Sequence, residues 1–232
     1  PHFDYPHAYL ADLPSKLTAT GVGRGYRADE AAEQTPPPRK EVQLRAPLFE
    51  QGEKKLTPAE IGTAHHLFMQ FCDFDVACAP NGVENELNRL AEKKILSTEQ
   101  AHAVDKRKIE RFFASDLYKT FMAENKVRRE FKFSVLVPAQ AYFPVAADAP
   151  EENVLLQGVI DCLIETRDGF VILDFKTDRI KKGGAVERAE QYRPQLAAYA
   201  RAVHEIYGRP VHACVLYFFH TGDTEWVSLD ED

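Results

Sequence analysis

Hydrophobic positions along this chain follow two periods. Between residues 57 and 123 they recur at helical spacing, and from residue 127 onward they mostly alternate or run together as in strands. Thr57-Pro58-Ala59-Glu60 has the form of a helix start, with Thr as cap, Pro in the first turn and Glu three residues after the cap. The pattern predicts a helix to about Val76, with Ile61, Ala64, Leu67, Phe68, Phe71 and Cys72 at core spacing. His65 and His66 flank that apolar stripe on either side, where a histidine is by default a structural hydrogen-bonder. Gly62 costs about 1 kcal/mol against Ala in a helix interior, which suggests a close backbone approach. Further helices are predicted over Val83 to Leu96, over Thr98 to Ala114 with Ser97 or Thr98 as cap, and over Ser115 to Ala123. They read as a packing and surface insertion without a chemical motif.

Val127 to Pro138 reads as a strand with Phe131, Phe133, Val135 and Val137 on one face, and Glu130 opposite with Arg128 and Lys132. Residues 139–153 read as a long acidic loop or strand return. Two apolar runs then flank Thr166-Arg167-Asp168-Gly169, a strong hairpin signal. Alternation places Leu156, Gly158, Ile160, Cys162 and Ile164 on one face of the first strand and Asp161 on the other. In the second strand Val171, Leu173 and Phe175 oppose Asp174 and Lys176. If Arg167-Asp168 form the loop, Asp161 sits directly across from Asp174; if Asp168-Gly169 do, Asp161 faces Lys176 and lies diagonal to Asp174. Val186 to Tyr207 is predicted helical, with Leu196, Tyr199, Ala200, Val203 and Ile206 as its stripe, Pro194 as a kink or new first turn, and Gly208 as its stop. Val211 to Phe219 is a buried strand and Glu225 to Leu229 an edge strand. The order describes an α/β protein: a mixed sheet flanked by helices, with a helical insertion and no internal repeat.

Both hairpin registers put Asp161, Asp174 and Lys176 on one face. Like charges on adjacent strands are destabilising. A divalent cation reverses that penalty, and carboxylate oxygens suit Mg²⁺. A nearby lysine can then orient or deprotonate a water. The alternative is a surface hairpin whose charges are simply solvated.

The chain has 232 residues, 44% hydrophobic and 28% charged, with a formal net charge of −7. An acidic balance does not advertise nucleic-acid binding. A local basic group does follow the hairpin: Lys176, Arg179, Lys181, Lys182, Arg188 and Arg193, with Gly183-Gly184 as a flexible break. No apolar run approaches the roughly 20 residues that span a bilayer, so no membrane partner is expected. The four cysteines form no Cys-x-x-Cys pair; three lie in apolar patterns and read as reduced core residues of a cytoplasmic protein. Residues 1–55 carry Pro36-Pro37-Pro38 among mixed charges and read as a poorly ordered linker, Arg24 to Glu41 above all, although apolar positions between Tyr9 and Thr20 could dock on a neighbouring surface. A start at Pro1 without a signal-like segment suggests an excised piece of something longer.

Gly62-Thr63-Ala64-His65-His66, Gly158-Val159-Ile160-Asp161, Asp174-Phe175-Lys176 and Gln195-Leu196-Ala197-Ala198-Tyr199, taken in that order, resemble the PD-(D/E)XK nuclease superfamily and its RecB-like branch. Each piece alone is weak; the ordered set is specific. Arg129 to Phe133 also looks like a strand of that family. Leu13 to Thr18 resembles the connector that precedes the C-terminal nuclease domains of AddA-type helicase–nucleases, and the likeness covers about residues 9–227. The resemblance implies a PD-(D/E)XK fold. It implies residues 1–55 as a connector from a preceding helicase region and 56–232 as the nuclease domain, with a helical part at 57–125 and a catalytic sheet core at 127–229. It makes His66 rather than His65 a metal ligand with Asp161, Asp174 and the Phe175 main-chain carbonyl. The metal would be Mg²⁺, with Mn²⁺ as its substitute. Lys176 would activate water, and Gln195 and Tyr199 would orient Lys176 or the DNA backbone. Arg179, Lys181, Lys182 and Arg193 would hold phosphates, and Glu130 would be a supporting residue. The implied partners are single-stranded DNA, the helicase region of the same chain and an AddB-like second subunit. The implied activity is phosphodiester hydrolysis by an exonuclease/endonuclease in an ATP-dependent helicase–nuclease serving double-strand-break repair. The competing readings are a nuclease-fold module that only binds DNA or a partner, and a RecB-like nuclease of another system.

Overall fold

The computed structural model describes residues 13–22, 56–147 and 152–229. Most of the linker, with Pro36-Pro37-Pro38 and the stretch from Arg24 to Glu41, lies outside them. Six strands form one mixed sheet: β1 (Lys16–Thr18), β2 (Lys126–Pro138), β3 (Asn153–Glu165), β4 (Phe170–Lys176), β5 (Val211–Phe218) and β6 (Asp223–Val227). β3 is the axis. Antiparallel β2 covers one of its edges throughout, with pairs from Lys126↔Glu165 to Pro138↔Asn153. The other edge is shared. β1 pairs in parallel with Leu155 to Gln157, and β4 pairs antiparallel with Cys162 to Glu165. Lys16–Thr18, which the sequence places on the connector side, is therefore a strand of the same sheet as the hairpin.

Thr166 pairs with Gly169 through an N–H···O bond of 3.0 Å. Arg167-Asp168 are thus the loop residues, and the register Cys162↔Leu173, continued by one step, sets Asp161 opposite Asp174. Beyond that point β4 leaves β3 and stays with parallel β5 as far as Lys176↔Phe218.

The sheet separates two cores. On one face Cys162, Ile164, Val171, Leu173, Phe175, Val215, Tyr217 and Phe219 pack under the helical region. On the other, Leu156, Ile160, Leu163, Ile172, Leu216 and Phe218 pack under the C-terminal helices. This corrects the simple alternation expected of β3, because Leu156 and Ile160 face one core while Cys162 and Ile164 face the other. The same reversal occurs in β2. Val127 belongs to the helical side, whereas Phe131, Phe133, Val135 and Val137 share the opposite one. Both strands turn over at one level, where the paired residues skip from Arg129↔Cys162 to Phe131↔Ile160. Glu130 there has φ 51°, a left-handed conformation that non-glycine residues seldom adopt. Glu130 and Asp161 occupy the break, so period-two counting could not assign their faces.

The helices are shorter than their patterns. α1 (Pro58–Phe71) begins with the expected capping box, Thr57 with Glu60. It ends before Val76 because Asp73 caps a separate α2 (Phe74–Ala77), accepting from the Asp75 N–H. Phe71, assigned to the core by spacing, is 42% exposed, and Met69 is buried in its place. α3 (Gly82–Glu92) stops at a turn in which Lys94 has φ 57°. The predicted third helix is two, α4 (Thr98–Ala103), capped by Ser97, and α5 (Lys106–Ala114). Leu117–Met122 forms a π-helical segment. α6 (Ala185–Glu190) and α7 (Arg193–Tyr207) replace one continuous helix, with Pro194 in the first turn of α7. Ile206 is 40% exposed rather than buried.

Candidate active site

The divergence of β4 from β3 exposes main-chain groups that would otherwise be in the ladder. One is taken by a side chain: the Phe175 N–H donates to Asp161 Oδ2 at 2.7 Å. In a strand the N–H and C=O of one residue point to the same edge, so the Phe175 carbonyl is directed to this opening as well. His66, one α1 turn past Gly62, brings Nδ1 to 3.5 Å from Asp161 Oδ1. His66, Glu130, Asp161 and Phe175 line one small recess together with Met69 and Gln70. Arg129 fixes the two walls against each other. It donates to the carbonyls of Met69 (3.1 Å) and Cys72 (2.5 Å) at the end of α1, and its guanidinium lies 4.5 Å from the centre of the Phe74 ring. Burial pushes the His66 imidazole down, but the carboxylates of Asp161 and Asp174 push it further up, so it titrates above the usual value. Burial, reinforced by Asp161, holds the Glu130 carboxyl above its usual range.

On the other side of β4, Asp174 is buried and its Oδ2 lies 2.5 Å from Lys176 Nζ. Lys176 donates to Gln195 Oε1 at 3.3 Å, and Gln195 Nε2 donates to the Tyr199 hydroxyl at 2.8 Å. The i, i+4 spacing of Gln195 and Tyr199 on α7 puts them on one face, as their sequence suggested. Tyr199 also packs edge-on against Phe133, with centroids 5.9 Å apart. Phe133 occupies the space a side chain at Gly158 would fill, since a Cβ there would come within 2.6 Å of the ring. This accounts for a glycine three residues before Asp161. Burial raises the Asp174 carboxyl above the ordinary carboxylate range, and the Lys176 ammonium opposes this without cancelling it.

The sequence reading missed Tyr192. Its ring lies under the Lys176 ammonium, 3.8 Å from Nζ to centroid. Its hydroxyl donates to Asp178 Oδ2, and Arg188 donates both to that carboxylate (3.2 Å) and to the Tyr192 hydroxyl (3.2 Å). Burial raises the Asp178 carboxyl, but its bonds from Tyr192 and Arg188 hold it below the ordinary value overall. The available signal was position: Tyr192 precedes Gln195 by three residues, one helical turn.

His65 is buried away from the recess. Its Nδ1 donates to the Ile61 carbonyl (2.9 Å) and its Nε2 accepts from the Asp105 N–H (3.3 Å), which uses both nitrogens of the neutral ring. Burial keeps its pKa low. Lys181 and Lys182 are exposed beside Arg179 on the segment after β4. Arg193 stands apart from them: its guanidinium is engaged by Glu190 (2.8 Å) and by the Ser228 carbonyl (2.9 Å), tying α7 to the end of β6. Cys72, Cys162 and Cys214 are buried and unpaired, and Cys78 is exposed.

The donors fit a divalent cation in kind. Asp161, Asp174, Glu130 and the Phe175 carbonyl carry hard oxygen atoms of the kind such cations take. Asp174 Oδ2 is buried and makes no aligned hydrogen bond, only the ion pair with Lys176. Among the described residues no three His, Cys, Asp or Glu side chains converge at metal-binding distances. None of the described helices is long and apolar enough to cross a membrane.

Comparison with known proteins identifies the family. Residues 39–228 match the sequence profile of the PD-(D/E)XK nuclease superfamily, whose nucleases are generally dependent on divalent metal. The chain is 40% identical over 221 residues to an ATP-dependent helicase/nuclease subunit from Moorella thermoacetica, a match that covers 94% of this chain and 15% of that protein. The subunits of the same name from Desulforamulus reducens and Desulforudis audaxviator are 38% and 35% identical, over 95% of this chain and 18% of each relative. The chain thus spans under one-fifth of the length of these relatives. By its profile, its mixed sheet and its kinship with helicase/nuclease proteins, the chain belongs to the PD-(D/E)XK nuclease superfamily and is a nuclease domain.

Proposed function

We propose that this domain is the Mg²⁺-dependent DNA nuclease of a helicase–nuclease that processes double-strand breaks for recombinational repair, and that it hydrolyses phosphodiester bonds of single-stranded DNA. The observation that carries the reading is the split of β3 from β4. It presents Asp161 and the Phe175 carbonyl on one side of the opening and the Asp174–Lys176–Gln195–Tyr199 chain on the other. A buried carboxylate–ammonium pair is expensive to desolvate and needs a function to justify it. A module that only binds DNA has no use for one.

In this reading His66, Asp161, Asp174 and the Phe175 carbonyl hold the cation, with Mn²⁺ able to replace Mg²⁺. Bound there, the metal neutralises phosphate charge and lowers the pKa of water. Lys176 positions the attacking water, and Gln195, itself fixed by Tyr199, holds Lys176 in place. Glu130 adds a carboxylate to the recess. Arg179, Lys181 and Lys182 grip the backbone by charge without reading bases. Arg193, already engaged with Glu190 and Ser228, acts on α7 instead. An acidic domain can take DNA as substrate if a helicase region of the same protein, with an AddB-like second subunit, delivers the strand. In the full-length protein, end-labelled single-stranded DNA should be cut with Mg²⁺ or Mn²⁺, and neither by Asp174→Ala nor in excess chelator. Retained cutting by Asp174→Ala refutes the assignment.

A further inference from the structure

A second concavity lies at the N-terminal end of α1, about one turn from the recess. It is a cavity of about 410 Å³ lined by Gly62, Lys108, Thr177, Arg179, Phe219 and His220, among others. That volume is within the roughly 300–1,000 Å³ of small-ligand pockets. Two segments of the chain tie it to the proposed catalytic centre. Thr177 and Arg179 follow closely on Lys176, and Gly62 and His65 lie on the α1 turn that leads to His66. Gly62 keeps the pocket's wall tight, since a Cβ there would meet Thr177 Oγ1 at 2.8 Å.

The lining carries two cations, Arg179 and Lys108, among uncharged side chains and a single carboxylate. Arg179 is exposed and pairs with no carboxylate among the described residues. Lys108 is half-buried and only loosely paired with Asp105, at 3.6 Å and open to solvent. The one acidic residue of the lining, Asp178, has its carboxylate turned to Arg188 and Tyr192. His65 is neutral with both nitrogens used. The Thr177 hydroxyl and the His220 imidazole add polar groups. Solvent-facing cations beside hydroxyl and imidazole groups, with no free carboxylate in the lining, suit a phosphate.

We propose that this pocket is a second phosphate subsite. It takes one unreacted backbone phosphate of the substrate strand, next to the scissile one, between Arg179 and Lys108. The proposal rests on the nuclease reading and adds to it a second anchor for the strand, about one α1 turn before His66. The subsite fixes where along the strand the reactive phosphate comes to rest.

The test is a chemical cycle on the full-length protein. Oligonucleotides carrying a single uncharged methylphosphonate at successive positions around the preferred cut are cleaved by wild type, Arg179→Ala and Lys108→Ala. Neutralising the phosphate in the subsite should slow wild type roughly tenfold, the scale of one lost charge-assisted contact. The same substitution should cost Arg179→Ala and Lys108→Ala under about threefold, at that one position and the same position for both. Lys106→Ala, on the same helix but paired with Glu84 outside the pocket, should show wild-type penalties everywhere. Penalties that multiply at every position overturn the subsite while leaving the nuclease intact, as do different coupled positions for Arg179 and Lys108. A wild type that cuts nothing overturns the nuclease reading, and the subsite with it.

Discussion

Tyr192 gives the sharpest test of how Lys176 is held. Its ring lies 3.8 Å from the ammonium, and the Lys176 side chain is only 12% exposed. A desolvated cation–π contact of this kind contributes about 1–2 kcal/mol. If that energy holds the ammonium where it acts, Tyr192→Leu should lower kcat roughly fivefold to thirtyfold, at about 1.4 kcal/mol per factor of ten. Tyr192→Phe keeps the ring and loses the hydroxyl bond to Asp178, which Arg188 continues to hold. It should stay within about threefold of wild type, a cost of up to about 0.6 kcal/mol. The assay is steady-state cleavage of end-labelled single-stranded DNA over a range of DNA concentrations, with thermal melting to confirm the fold. Because Tyr192 acts through Lys176 and does not itself grip DNA, kcat should fall while KM holds. Equal impairment of Phe and Leu variants refutes the cation–π account, as does a Leu variant altered only in KM.

Three further substitutions probe other contacts of the fold and the site. Lys176→Met should abolish cleavage and, by leaving Asp174 buried without its counter-charge, destabilise the domain by roughly 3 kcal/mol at neutral pH. Because burial raises the Asp174 carboxyl, its stabilising form is the protonated one, present at low pH and lost as pH rises through the folded pKa. The deficit in urea midpoint should therefore shrink on acidification. Glu86 is buried, accepts from the Asp73 N–H at 2.6 Å and pairs with Arg89 at 2.5 Å. Glu86→Ala should cost about 2–3 kcal/mol, seen as a melting point lower by roughly 5–10 °C. The Arg89 bond holds the Glu86 carboxyl below the usual glutamate value, so the stability it confers is complete above that value and fades as pH falls through the lowered one. The wild-type advantage over Glu86→Ala should then diminish in acid. Gly62→Ala should bring no stability alone, because its Cβ meets Thr177 Oγ1; in a Thr177→Ala background it should add about 1 kcal/mol of helix propensity, measured by chemical denaturation.

The parts of the site that sequence reveals are those governed by local rules. The Asp161–Asp174 juxtaposition follows from one of two hairpin registers, and a turn signal with period-two alternation is enough to limit the choice to those two. Gln195 and Tyr199 follow from helical spacing. Glu130 escapes placement because β2 and β3 both turn over at its level, and its positive φ has no signature in residue type. The helix ends differ from their patterns where tertiary partners decide them. The Asp73 N–H goes to Glu86 and the Asp105 N–H to His65, so α1 and α4 stop where the apolar pattern would allow them to continue. Position alone marks Tyr192, one turn before Gln195; that its ring lies under an ammonium follows from how two elements cross, not from the sequence of either.

The short β1 strand has a mechanical meaning. Lys16–Thr18 runs parallel to Leu155–Gln157, immediately before the Gly158–Asp161 stretch of β3. Tension arriving through the chain ahead of Lys16, opposed by the chain downstream of β3, pulls these parallel neighbours along their common axis. Their hydrogen bonds then bear load together in shear rather than peeling one at a time. A motor tugging on that segment would thus meet its resistance beside Asp161, and strain in the coupling would be felt first by the strand that carries it.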